Sequence, residues 1–120
     1  MSRDHRKLHV FNQADELITK VYAATAMFPP DERFGLCAQV RRSAVSVAAN
    51  IVEGCARKTT REYLQFINIS TGSAAETAYL IEVSNRLGFL KPDPHKFLSS
   101  RYTQLVKELK KLLISLDGER

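Results

Sequence analysis

Gln39-Val40-Arg41-Arg42-Ser43-Ala44-Val45-Ser46-Val47-Ala48-Ala49-Asn50-Ile51-Val52-Glu53-Gly54 is the stretch whose reading decides the fold. Gln39, Ser43, Ser46, Asn50, Glu53 and Arg57 recur at spacings of four, three, four, three and four. On a helix with about 3.6 residues per turn, those spacings collect all six in one narrow sector. Most of the remaining circumference is Val, Ile, Leu, Ala or Cys. A helix of this kind is enclosed by protein over most of its surface, and its polar line requires partners.

The same periodicity extends outward into three more helical segments, with no strand pattern between them. Val10, Phe11, Ala14, Leu17, Ile18, Val21, Tyr22 and Thr25 repeat at helical spacing, predicting a first helix over about residues 10 to 28 that ends at Pro29-Pro30. The central helix is expected over about residues 33 to 57. Thr59 with Glu62 three positions on is a capping-box pattern, opening a third helix over about residues 60 to 87 that stops at Gly88. Asp93 as N-cap with Pro94 at the first helical position opens a fourth over about residues 94 to 116. In this last helix Leu98, Tyr102, Leu105, Leu109, Leu112 and Leu116 alternate spacings of four and three, the seam of left-handed antiparallel packing. Short links join all four segments, so the fold class is all-α, an antiparallel up-down-up-down four-helix bundle.

The third helix has apolar residues on two sides. Tyr63, Leu64, Ile67, Ala74, Ala75, Ala78 and Ile81 share one face, while Phe66, Ile69, Leu80 and Leu87 lie roughly opposite. Two faces imply two neighbours, so self-association is expected. If the chain turns between residues 57 and 60, level residues of the second and third helices have numbers summing to about 117 by helix geometry. Arg41 is then level with Glu76, and an ion pair between them, within or between subunits, is expected to carry the charge inside the apolar arc.

The chain has 120 residues, enough for one domain with its own core. No apolar run reaches the roughly 20 residues needed to span a bilayer, and no signal-like segment follows Met1 to Lys7, so a cytoplasmic protein is the expectation. Cys37 and Cys55, 18 residues apart in the central helix, are separated by about 27 Å and cannot bond within the chain. Their place on the apolar face reads as buried free thiols. Net charge is +5, a positive field that suits nucleic acid or acidic protein.

Several separated motifs point to a family. Glu32-Arg33-Phe34-Gly35-Leu36, Gln39-Val40-Arg41-Arg42-Ser43-Ala44-Val45-Ser46, Asn50-Ile51-Val52-Glu53-Gly54, Gly72-Ser73 with Glu76, and Leu87-Gly88-Phe89-Leu90 occur in order. Over residues 10 to 116 the chain closely resembles the bacterial four-helix-bundle family named after the protein encoded by intervening sequences in 23S rRNA genes. The resemblance implies compact antiparallel bundles that assemble into rings of five. It also implies kinship to the accessory variability proteins of diversity-generating retroelements, where a basic pentamer engages nucleic acid and a reverse transcriptase. For most of the family the function is unassigned. Ala48 stands where the family commonly has a proline, and Ala74 and Thr77 where it has larger aliphatic residues; a straighter second helix and thinner packing of the third are expected.

Candidate sites follow from charge and polarity. Arg42, Arg57, Lys58 and Arg61, with Lys107, Lys110 and Lys111 on the polar side of the fourth helix, are the candidates for contact with RNA phosphates. The bland reading is a solvated surface with favourable charge at a helix C-terminus. Gln39, Arg41, Ser43, Ser46, Asn50, Glu53 and Glu76 are read as structural or interface groups, with the serines bonded to the third helix around Ser70 and Ser73. An enzymatic role for the stripe lacks a base within reach. His5 and His9 have a spacing that could hold a metal with Asp4, but solvated residues are the better reading; His95 stands alone at a helix start. No metal, cofactor or membrane is therefore expected, and Walker and dinucleotide fingerprints are missing. Two functions remain: a non-enzymatic oligomeric module that binds RNA or a ribonucleoprotein, and a protein-binding assembly scaffold.

Overall fold

The computed structural model describes residues 3 to 117, and among these there is no strand. Four helices follow a short 3-10 turn at His5–Lys7: α1, His9–Thr25; α2, Leu36–Cys55; α3, Thr60–Arg86; and α4, Pro92–Asp117. Consecutive helices pack side by side and α1 also lies beside α4, while the backbones of the diagonal pairs stand farther apart. That is the neighbour pattern of an up-down-up-down bundle. Thr25 lies beside Cys37 and Tyr22 beside Arg41, and farther along Arg3 meets Cys55, so rising numbers on one side meet falling numbers on the other. The body is 46 × 22 × 19 Å, and its two ends are therefore separate surfaces.

The helix boundaries have local causes. Thr59 Oγ1 accepts the Glu62 N–H at 3.1 Å and donates to Glu62 Oε1 at 3.0 Å, so the capping pair opens α3 at the expected place. Its other end closes on Gly88, at φ 78°, with Gly88 N–H bonded to Asn85 O and Phe89 N–H to Ser84 O, both at 3.0 Å; this is a Schellman turn that a glycine adopts without strain. Two starts differ from expectation. Pro30–Glu32 forms a separate 3-10 turn, and α2 begins only at Leu36, whose N–H is taken by Glu32 Oε1 at 3.1 Å. The fourth helix begins at Pro92, so Asp93 sits inside its first turn instead of capping it.

The core runs the length of the bundle: Leu17 and Val21 of α1, Val40, Val47 and Ile51 of α2, Tyr63, Ile67 and Ile81 of α3, and Tyr102, Leu105 and Leu109 of α4 are all closed to solvent. The α4 seam is buried as far as Leu109, and Leu112 and Leu116 pack against its edge. Both cysteines are buried and unbonded. Burial also pushes the Cys55 thiol up, which keeps it protonated and unreactive. Leu80, expected on the second apolar side of α3, lies in the core; Ile69 and Leu87 stay outside. Leu80 stands one turn beyond Thr77, whose hydroxyl meets α2, so it falls on the α2 side of α3. Ala48 is buried in an unbroken α2.

Two glycines separate packing from propensity. A Cβ at Gly54 would stand 2.9 Å from Phe66 Cβ and 3.3 Å from the Tyr63 carbonyl, so the hydrogen of Gly54 sets how closely α2 approaches α3. A Cβ at Gly72, in mid-α3, would meet nothing within 4 Å. Gly54→Ala is expected to cost about 1–3 kcal/mol, while Gly72→Ala gains up to about 1 kcal/mol in the monomer. Urea unfolding of both variants checks this; equal effects would mean that the α2–α3 approach is not limited at Gly54.

Candidate functional site

The polar stripe of α2 is bonded to α3 along its middle and open to solvent at its two ends. Ser46 Oγ and Ser73 Oγ are 2.9 Å apart, Thr77 Oγ1 is 2.8 Å from both Ser43 Oγ and the Ser73 carbonyl, which share its one proton, and Ser70 Oγ donates to the Val47 carbonyl at 2.7 Å. Asn50 Nδ2 donates to the Ser46 carbonyl and hydroxyl at 2.9 and 3.0 Å. These contacts form a ladder of short hydroxyls down the α2–α3 seam. Residue numbers across it sum to 117, 119 and 120, against the expected 117. Gln39 and Glu53 are exposed and outside the ladder. Thr77 does not thin the packing of α3: it is fully buried and its hydroxyl supplies a rung.

Arg41 is not paired with Glu76 in the chain. Its Nε donates to Thr25 Oγ1 at 2.8 Å and its Nη2 to the Tyr22 carbonyl at 3.3 Å, and its guanidinium lies 4.3 Å from the Tyr22 ring centroid. Arg41 is level with the Glu76 region, but its side of α2 faces α1. Carbonyl, hydroxyl and π face replace the carboxylate as the cation's partners. Glu76 is exposed on α3.

A group of basic residues collects at one end. Arg3 N–H donates to the Cys55 carbonyl at 2.7 Å, and Arg3 Nη2 reaches Thr60 Oγ1 at 3.4 Å with its guanidinium 4.1 Å from the Tyr63 ring. The N-terminal turn is thereby docked on the α2–α3 corner. Buried beneath it, the Tyr63 phenol is pushed up to about 12, mainly by desolvation. Lys111 of α4 shares the wall of a cavity of about 300 Å³ with Leu8, His9 and Val10. So Arg3, Arg6, Lys7, Arg57, Lys58, Arg61, Lys110 and Lys111 belong to one pole, against Asp4, Glu53, Glu62 and Glu108, a local net of +4; Lys107 lies one turn short of it, beside Thr103 and Gln104. Some of this charge is internally matched: Arg6 meets Asp4 at 3.0 Å, and Arg57 meets Glu53 at 2.9 Å while lying over Phe66. Arg42 is not part of this group. Fifteen residues of helix separate it from Arg57, about 22 Å.

Sequence reading missed the N-terminal share of the pole, because Met1 to Lys7 reads as a loose terminus; the run Arg3-Asp4-His5-Arg6-Lys7 was the available signal. It also treated His95 as isolated. His95 Nε2 is 3.0 Å from Glu82 Oε1, and Ser99 Oγ donates to the same oxygen at 2.8 Å. A serine, a histidine and a glutamate thus meet, yet Ser99 gives its only hydroxyl proton to the carboxylate, so the histidine does not activate it. The Ser99 bond first, and then His95, hold the Glu82 carboxyl below the usual range. His5 packs edge-on to Phe11 at 4.7 Å and sits in the 3-10 turn while His9 starts α1, so they do not share a helical face. Among the described residues no group of three or more His, Cys, Asp or Glu is placed to hold a metal ion, and no helix is long and apolar enough to cross a membrane.

Comparison with known proteins bears on this arrangement. A family model described as 23S rRNA-intervening sequence protein matches residues 6–111. The fold is similar to a crystal structure from Bacteroides thetaiotaomicron, described as a protein with unknown function from the S23 ribosomal protein family. The TM-score is 0.79 at 21% identity, covering 87% of this chain and 94% of that one. At that identity the likeness concerns the fold. No curated protein matches the chain.

Two measurements test the polar contacts. Thr77→Val is expected to cost about 1–2 kcal/mol, and adding Ser43→Ala should cost less than the sum of the single changes, because both remove one rung; strict additivity in urea unfolding would dissolve the ladder. For Glu82 the folded pKa is depressed, so its stabilisation is present above the unfolded value of about 4.3 and is lost as pH falls through the folded one. Glu82→Gln should therefore flatten the fall in urea midpoint between about pH 5 and about pH 3; parallel profiles would show that the Ser99 and His95 contacts contribute nothing.

Proposed function

The chain belongs to the 23S rRNA-intervening sequence protein family, and we propose that it is a non-enzymatic, self-assembling module that holds RNA or a ribonucleoprotein at its basic pole. The observation that carries this reading is the convergence of Arg3, Arg6, Lys7, Arg57, Lys58, Arg61, Lys110 and Lys111 on one end of the bundle. Phosphate binding needs cations spread over a surface wider than one side chain, and their release of counterions drives association. The cations here come from three parts of the chain held in fixed register. No cofactor is used in this reading, and the protein works in the cytoplasm.

Self-assembly is supported by the outer face of α3. Ile69, Tyr79 and Leu87 are 50%, 61% and 56% exposed, and the open space beside Gly72 would admit another helix closely. Five copies is the number that the family resemblance implies. A ring would also repeat the basic pole around one axis and multiply weak phosphate contacts. The same exposed residues favour the second reading, a protein-binding scaffold with no nucleic acid.

Titration with a structured duplex RNA at two salt concentrations separates the two. Affinity is expected to fall steeply with salt, and the triple variant Arg57→Gln, Arg61→Gln, Lys110→Gln should lower the slope by roughly 0.9 for each phosphate that is no longer neutralised. No affinity at low salt would leave only the scaffold. Mass measurement in solution tests assembly, and a monomer would overturn it.

A further inference from the structure

At the opposite end from the basic pole, the start of α2 forms a groove with the end of α1. Its cavity is about 500 Å³, and Tyr22, Arg33, Phe34, Arg41, Arg42 and Val45 line it; no carboxylate does. Phe34 is 89% exposed, the most exposed large apolar side chain described. Two aromatic faces in the groove already carry a guanidinium, Arg41 at 4.3 Å from the Tyr22 centroid and Arg33 at 5.3 Å from that of Phe34. Arg42 is exposed beside them.

We propose that this groove binds unpaired nucleotides of a single-stranded nucleic acid, with a base stacked on Phe34 and the flanking phosphates held by Arg33 and Arg42. Stacking platforms combined with a cationic track are the two parts that single-strand binding requires, and neither demands a particular base. Tyr22 and Arg41 form the fixed wall. Two of the five guanidinium donors of Arg41 are used by Thr25 and Tyr22, which locks its plane and leaves the others for a ligand. The nearest acids in sequence do not oppose a phosphate there: Glu32 is turned onto the Leu36 N–H at 3.1 Å, and Asp31 is not among the lining residues. A second copy of this chain is the competing occupant, but it would have to bring carboxylates to three arginines. A polyanion with a flat apolar base satisfies the rings and the charges together.

The proposal rests on the nucleic-acid reading and assigns a division of labour: the pole takes backbone, and the groove takes bases. The test uses fluorescence anisotropy of the full chain with a short oligouridylate, its oligothymidylate counterpart and a duplex RNA. Phe34→Leu keeps an apolar side chain but loses the π face, and Phe34→Tyr keeps the face. Phe34→Leu is expected to weaken binding of the single strands by roughly tenfold with duplex affinity unchanged, while Phe34→Tyr binds as the parent does. Loss for oligouridylate alone would tie the groove to RNA, and equal loss for both would assign it to either strand type. Unchanged single-strand affinity in Phe34→Leu, with duplex still bound, overturns the groove and leaves the pole standing. Loss of duplex binding only in the Arg57, Arg61 and Lys110 variant leaves both in place, and a parent protein that binds no nucleic acid overturns both. Should Phe34→Leu change the mass in solution, the ring belongs to a contact between copies and the proposal fails.

Discussion

Everything else in this bundle depends on how closely α2 lies against α3. Gly54 allows the approach at one end, where a methyl group would already strike Phe66, and the hydroxyl rungs of Ser43, Ser46, Ser70, Ser73 and Thr77 hold it along the seam. Short hydroxyls suit that role. They bond across a narrow gap that longer amides would force apart, and each rung contributes only about 1 kcal/mol net. Their larger effect is on register, because a shift of one residue would take the fully buried Ser70 hydroxyl off the Val47 carbonyl, at a cost greater than one rung supplies.

The seam was legible in the sequence because it is built from spacing. Six polar residues at alternating three and four intervals cannot avoid sharing a sector, and the short turn sets their level, so both the stripe and its approximate pairing with Ser70 and Ser73 follow from helix geometry alone. Arg41 shows what spacing along an axis omits. Level puts it opposite Glu76, but which neighbour a side chain meets depends on azimuth, and near the edge of the buried arc a modest rotation exchanges α3 for α1. The partners it finds on α1 are the Thr25 hydroxyl, a backbone carbonyl and a ring face, and none of them carries the opposite charge by which an arginine's partner is sought in sequence. His95 and Glu82 escaped notice for a related reason. They are 13 residues apart on different helices, and only the start of α4 at Pro92 brings them together.

Charge was legible in amount and only partly in place. The runs around Arg57 to Arg61 and Lys107 to Lys111 are visible in sequence, and antiparallel topology is enough to bring the end of α4 to the α2–α3 turn. The contribution of Arg3, Arg6 and Lys7 requires the N-terminal turn to be docked, which depends on one backbone bond to Cys55 and on stacking of Arg3 over Tyr63. Arg42 went the other way, since its proximity in sequence to Arg41 and its charge grouped it with cations some 22 Å distant.

Stacked arginines link these observations. Arg3 on Tyr63, Arg41 on Tyr22 and Arg57 on Phe66 are each within 4.7 Å of a ring centroid, while only Arg57 of the three also meets a carboxylate. A cation neutralised by a carboxylate offers little field to a phosphate, whereas a cation resting on a π face keeps its full charge and has its plane fixed. By holding arginines with rings, the fold anchors long side chains without cancelling them. The positive potential then persists at both ends of a body 46 Å long, and a chain of modest net charge can present two rigid cationic surfaces instead of one diffuse one.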